Sequence, residues 1–216
     1  MGASLVIAAV GKGIVAALQP DSLDASSLIR NMVLFGAIGL ASGILTWLVI
    51  SFVWEGLIGL DSHLDFAGWG LSFSHLTLVP GFVFGNAIGL ALVRFGLAEF
   101  GRALAYIAAA MVSNFIATNF AANMVDAIES PSILGMAAGL LGAACLTALS
   151  LAILPFTRQL WPCLSMLAAG TALGTLLHVA IEDSSAWGRG FLILYALWQA
   201  GYGAALGMAL PRRSAA

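Results

Sequence analysis

The residues best equipped for chemistry in this sequence are polar side chains set at helical spacing inside long apolar runs. Thr171, Thr175, His178 and Glu182 follow one another at intervals of three or four. On a continuous helix they fall within a wedge of about 60°. Tyr195, Trp198, Gln199 and Tyr202 share a wedge of about 100° on the next run, and Asn119, Asn123 and Asp126 one of about 60° on an earlier run. Asn86 adds a carboxamide about 15 Å from the end of its own run. Polar groups are costly in hydrocarbon and face a bundle interior or a wet cavity. The chemistry expected of these stripes is hydrogen bonding to a small polar or cationic solute. His178 and Glu182, four apart on one face, form a candidate pH-responsive pair. The competing reading is hydrogen bonding between helices, each bond worth less than about 2 kcal/mol. It is preferred for Ser42, Thr46, Asn114 and Thr118. The solute-facing reading is preferred for the three long stripes, because all three rise toward the same acidic end.

A second group lies between two apolar runs. Asp61, His63 and Asp65 alternate, so an extended segment would put them on one face. Carboxylates with an imidazole are ligands for Zn²⁺ or another divalent cation, and His178 could complete such a site. No HExxH pair accompanies them, and acids beside a histidine are commonly solvated loop residues. A serine–histidine hydrolase is a further reading, since Ser42 sits in Gly39-Leu-Ala-Ser-Gly. Ser42 falls in the opposite half of the membrane from His178, which favours packing. Cys145 and Cys163 stand alone, without CxxC or finger spacing, and read as small apolar packers. No cofactor is assigned.

These side chains are carried by 216 residues, of which 61% are hydrophobic and 8% charged. The mean hydropathy is +1.03. A soluble domain carries about 25% charged residues, so this chain cannot cover a water-facing surface. A soluble globular fold and disorder are excluded. A net charge of −2 without a basic patch excludes nucleic-acid binding. Six runs reach the roughly 20 apolar residues that a spanning helix needs: Met32–Trp54, Leu76–Leu97, Ala103–Val125, Ile133–Phe156, Leu160–Ile181 and Gly190–Leu210. The expected fold is all-α, a polytopic membrane bundle of six transmembrane helices over residues 29–216. Residues 1–28 are expected to hold an interfacial or re-entrant helix, with a seventh span over Ala3–Leu18 as the alternative. Lys12 sits in the middle of that apolar stretch and would cost about 2.5–3.5 kcal/mol at a bilayer centre.

Charge sets the expected orientation. Lys12, Arg30, Arg94, Arg102, Arg158, Arg212 and Arg213 fall on one side of a six-span arrangement, and Arg189 alone on the other. Basic loops stay in the cytoplasm, so both termini are expected inside, in a bacterial cytoplasmic membrane. The outer side gathers Glu55, Asp61, Asp65, Asp126, Glu129, Glu182 and Asp183. Glycines four apart recur as Gly39/Gly43, Gly81/Gly85/Gly89, Gly135/Gly139, Gly170/Gly174 and Gly203/Gly207. They predict close helix packing within the chain, with a dimerisation face as the alternative. Gly85-Asn-Ala-Ile-Gly and Gly170-Thr-Ala-Leu-Gly echo each other as an inverted three-plus-three repeat would.

With six spans, inward termini and a long first outer loop, the chain resembles the membrane substrate-binding subunits of energy-coupling-factor vitamin importers. Ala37-xxx-Ala41 is compatible with their helix-docking small residues. The likeness is one of outline and transfers no site residue. The expected function is binding or passage of a small polar or cationic solute through an outward-facing polar and aromatic cavity, as a transporter, channel or substrate-binding membrane subunit. The bilayer surrounds the protein, and partner membrane subunits or further copies of the chain are candidate neighbours. The alternatives are a structural or assembly subunit of a membrane complex and a metal-dependent membrane-embedded enzyme. A non-enzymatic role is favoured. There is no nucleotide-binding motif, so any use of ATP would fall to a partner.

Overall fold

The computed structural model describes residues 25–53, 62–66, 69–156, 160–182 and 188–211. The expected N-terminal interfacial helix lies outside them. In chain order the elements are α1 (Ala25–Leu48), which runs into a π-helical turn (Val49–Val53), β1 (Ser62–Phe66), β2 (Trp69–Phe73), α2 (His75–Arg94), α3 (Phe100–Met124), α4 (Pro131–Ile153), α5 (Leu160–Gly174), α6 (Leu177–Glu182) and α7 (Arg189–Ala209). Among the described residues six helical segments are long and apolar enough to cross a membrane, with α5 and α6 together forming one of them. The first starts at Ser26 rather than near Met32. Hydropathy marks where the chain becomes apolar, whereas a helix continues through Ser26, Ser27 and Arg30 as long as its backbone bonds are met.

Local chemistry sets several of the ends. The Ser74 N–H donates to Thr77 Oγ1 at 2.9 Å at the start of α2. The same helix stops at Gly96, whose φ of 65° is open to glycine at little cost. That conformation lets the Leu97 N–H reach the Leu92 carbonyl at 2.8 Å and the Gly96 N–H reach that of Val93 at 3.0 Å. Pro131 opens α4, where its missing N–H costs nothing, behind Ser130 as the cap.

Each of the long helices packs on its neighbours in the ring, and α7 returns to α1, so the order α1–α2–α3–α4–α5–α7 closes, with the short α6 against α7 and α4. In that ring α3 stands across from α7, and α1 from α4. The closing seam is antiparallel and glycine-lined. Gly39 and Gly43 lie against the backbone of Gln199–Ala200 and Tyr195–Ala196, while a Cβ at Gly203 or Gly207 would come 2.5 Å from the carbonyl oxygen of Phe35 or Asn31. Gly81 and Gly85 meet α3 in the same way, and Gly135 and Gly139 meet Gly174 and Gly170 of α5. Inside the ring Phe35, Phe84, Ile88, Leu92, Tyr106, Leu146, Met166 and Leu206 are buried, and outside it Val33, Leu90, Leu104, Leu140 and Leu197 are exposed. Arg30, Arg94 and Arg102 are exposed at one end of the bundle, and Asp126, Glu129, Glu182 and Arg189 at the other.

Two features depart from the sequence reading. The segment between the first two spanning helices contains an antiparallel hairpin, with β1 paired to β2 from Ser62↔Phe73 to Phe66↔Trp69. Five residues per strand are too few to stand out as alternation. The expected single helix Leu160–Ile181 is broken between α5 and α6. There the N–H groups of Thr175, Leu176 and His178 bond the carbonyls three residues back, at 3.3, 3.1 and 3.2 Å. Gly174 stiffens the backbone least, and Thr175 Oγ1 donates to the Ala172 carbonyl at 2.6 Å. Both favour a tightened turn over a regular helix. The single wedge expected for Thr171, Thr175, His178 and Glu182 assumed an unbroken helix, so the break removes its basis.

Candidate functional site

Within the ring, in the half nearer the hairpin, lies a cavity of about 160 Å³. Small residues open the space. Ala110, Ala117 and Ala121 on α3 face Gly135, Ala138, Gly139 and Gly142 on α4, and no large side chain from either helix fills the gap. Phe84 and Pro80 close the α2 side, and Phe191, Leu194, Tyr195, Trp198 and Gln199 close the α7 side. Among the described residues no Asp, Glu, Lys, Arg or His lines it.

The α3 wall carries the polar groups Ser113, Asn114 and Thr118. Asn114 has a backbone task that starts from proline chemistry. Pro80 lies inside α2 and has no N–H, so the Leu76 carbonyl loses its normal partner. Asn114 Nδ2 donates to that carbonyl at 3.3 Å and to the Thr77 carbonyl at 2.8 Å. Ser113 is 2% exposed, and its hydroxyl has no hydrogen-bond partner.

The α7 wall is aromatic. The Trp198 ring stacks on Tyr202, with centroids 5.4 Å apart and planes at 11°, and meets Phe84 edge-on at 6.3 Å. Tyr202 is fully buried beneath it, its hydroxyl 3.1 Å from Thr147 Oγ1. Phe191 packs on Tyr195 at 6.0 Å. The Gln199 carboxamide turns toward α1, where Ser42 Oγ donates to its Oε1 at 2.6 Å and its Nε2 donates to Thr46 Oγ1 at 3.2 Å. All three residues are buried, so this network ties α1 to α7 inside the bundle.

The polar stripes therefore separate. Tyr195, Trp198 and Gln199 line the cavity, and Tyr202 lies under Trp198. Asn119 and Asn123 hold the hairpin instead. Asn119 Oδ1 accepts from the Ser72 N–H at 2.6 Å, and its Nδ2 donates to the Ser72 carbonyl at 3.2 Å. Asn123 makes the same pair of bonds with Gly70. Asp126 and Glu182 are exposed at helix ends. Asn86 donates to the Phe82 carbonyl and Thr171 to that of Leu167, each at 2.8 Å within its own helix. His178 Nδ1 lies 2.5 Å from the Thr175 carbonyl oxygen, across the α5–α6 break. Asp61 lies outside the described residues, as do the side chains of His63 and Asp65, whose backbones pair opposite Ser72 and Gly70. Among the described residues no three His, Cys, Asp or Glu side chains gather as metal ligands would.

Ser113, Phe84 and Phe191 were missed by sequence reasoning, and Asn114 and Thr118 were read as packing. The available signal was smallness rather than polarity. Ala110, Ser113, Ala117 and Ala121 repeat at intervals of three and four opposite the glycines of α4. Comparison with protein-family profiles, with curated proteins and with solved structures gave no match.

Proposed function

We propose that this chain is an integral membrane protein, with both termini on the cytoplasmic side of a bacterial membrane, that binds or passes a small solute through the central cavity. The observation that carries this reading is a partly aromatic space lined by six of the seven helices, with no charged side chain among the described residues, in the half expected to face outward. The basic end formed by Arg30, Arg94 and Arg102 supports the orientation. The lining argues for an uncharged solute over the cationic one that the acidic mouth suggested. A cation at this depth would meet no carboxylate among the described residues, and an unpaired charge in hydrocarbon is costly. The test is a stability screen of the purified protein in lipid nanodiscs against small uncharged compounds. A ligand at a hundred times its Kd raises stability by about 2.7 kcal/mol. That stabilisation should disappear in Ala117→Phe, which fills the cavity. Stabilisation that survives the substitution would place the binding elsewhere and sink the proposal.

A further inference from the structure

The outward face of α2 carries a polar group that bonds nothing beyond its own helix. Gly81, Gly85 and Gly89 turn one side of α2 to α3, and Phe84, Ile88 and Leu92 are buried toward the ring interior. Phe82, Asn86, Leu90 and Val93 fall on the remaining side, within a wedge of about 80°. Phe82 is 51% exposed and Leu90 64%, and Asn86 is partly exposed between them. Along the helix Asn86 lies about 15 Å from Leu76 and about 12 Å from Arg94, near the middle of the span. Its Nδ2 donates to the Phe82 carbonyl at 2.8 Å, one turn back. Among the described residues no hydrogen bond joins its carboxamide to another element. Asn114, Asn119, Asn123 and Gln199 differ, since each bonds a second element.

We infer that this face of α2 is where two copies of the chain meet, with the Asn86 carboxamides hydrogen-bonded to each other across a two-fold axis along the membrane normal. The inference rests on the membrane-spanning part of the proposed function and is independent of the solute. Hydrocarbon offers a carboxamide nothing to bond, and headgroups lie about 15 Å away at the ends of a span. Asparagine in such helices finds its partner on a neighbouring helix. The chemistry of the group names the neighbour. A carboxamide is donor and acceptor at once, so it is complementary to a second carboxamide. A two-fold axis along the normal sets identical residues at identical depth, which makes the contact self-matching. One N–H of each Asn86 stays on Phe82, and the other N–H and the Oδ1 are left for the second copy. Phe82, Leu90 and Val93 would pack around the pair and keep lipid from it.

Single-molecule photobleaching in liposomes tests this. The whole protein, with Cys145→Ala and Cys163→Ala and one fluorophore at Arg213→Cys, would be reconstituted over a range of lipid dilutions after co-flotation with the liposomes is checked. The expected result is two-step bleaching that gives way to single steps on dilution. Asn86→Leu should raise the dissociation constant about eight-fold, the equivalent of two average interhelical hydrogen bonds. Asn86→Gln keeps the carboxamide and should stay near the parent. Both variants should melt like the parent under monomeric conditions, because Asn86 bonds only its own helix, and this separates association from folding. A second measurement leaves Asn86 in place. Leu90→Cys should cross-link to its counterpart through a short bis-maleimide, and Leu140→Cys, exposed on α4, should not. Single steps at every dilution from protein that floats, an unchanged dissociation constant in Asn86→Leu, or cross-linking at position 140 instead of 90 would overturn the interface and leave the solute reading standing. Protein that does not float with the liposomes would remove the membrane reading and the inference with it.

Discussion

Asn123 Oδ1 accepts from the Gly70 N–H at 2.9 Å while its Nδ2 donates to the Gly70 carbonyl at 2.8 Å, so one helical side chain pairs with one strand residue as a neighbouring strand would. Asn119 repeats this with Ser72, which makes the pair a two-rung substitute for a third strand. The spacing explains why it works. Residues four apart on a helix rise about 6 Å, and residues two apart on a strand about 6.7 Å. An isolated two-stranded hairpin is marginal, so α3 supplies the support that β1 and β2 lack. Phe73 adds a ring contact to Phe115 at 4.8 Å.

Asn123→Ala should therefore release β2 at Gly70 without disturbing the bundle. Amide exchange at Gly70 is expected to rise at least about ten-fold, the equivalent of about 1.4 kcal/mol in local opening, with α2 and α3 unchanged. Asn123→Asp keeps the acceptor and loses the donor, so it should fall between the two. Equal protection at Gly70 in all three proteins would show that the carboxamide does not hold the hairpin.

The closing seam makes an opposite demand on two glycines. A Cβ at Gly39 would collide with the Gln199 backbone, whereas one at Gly101 meets nothing within 4 Å. Gly39→Leu should abolish monodisperse protein, because neither backbone can move without opening the α1–α7 seam. Gly101→Ala should be neutral or stabilising by up to about 1 kcal/mol, from helix propensity. Comparable melting of both variants would show that the seam tolerates side chains and that close approach does not set the packing.

Gln199→Leu removes two hydrogen bonds but matches the surroundings. Interhelical bonds in membranes average about 0.6 kcal/mol, so a loss near 1 kcal/mol is expected. Gln199→Glu places a carboxylate among buried neutral groups and should cost clearly more. Unfolding in mixed micelles with increasing sodium dodecyl sulfate would rank the two. A milder effect for Glu than for Leu would mean that water reaches the Ser42–Gln199–Thr46 network.

The orientation can be read by single cysteines in a Cys145→Ala, Cys163→Ala background. Asp65→Cys and Arg213→Cys should react with a membrane-impermeant thiol reagent from opposite sides of spheroplasts and inverted vesicles. Reaction of both from one side would overturn the arrangement with both termini inside.

How much of this was legible varies with the physics involved. Five of the six spans were readable to within about three residues, because apolar run length is a direct consequence of bilayer thickness. The α5–α6 break was not, since Gly174 and Thr175 are individually tolerated in helices and only their combination with local packing tightens the turn. Spacing placed Asn119 and Asn123 on one face correctly as a pattern. It could not say that their partner would be backbone from a hairpin forty-seven and fifty-three residues earlier in sequence. Trp198 and Tyr195 were legible as deep aromatic residues among polar ones. Ser113 was not, because an unpartnered hydroxyl differs from a paired one only in its surroundings.

The return of α7 to α1 has a consequence for how the chain is made. Ser42 and Gln199 are 157 residues apart, so α1 enters the membrane long before its partner is synthesised. At about 5–20 residues per second, its glycine face and the hydroxyls of Ser42 and Thr46 wait roughly eight to thirty seconds for the last helix. The α2–α3 and α4–α5 pairs are adjacent in sequence and can assemble as they emerge. Ring closure is then the final event of biogenesis. A chain halted before α7 would present an open-sided assembly with polar groups turned to lipid, a form well suited to recognition by membrane quality-control proteases.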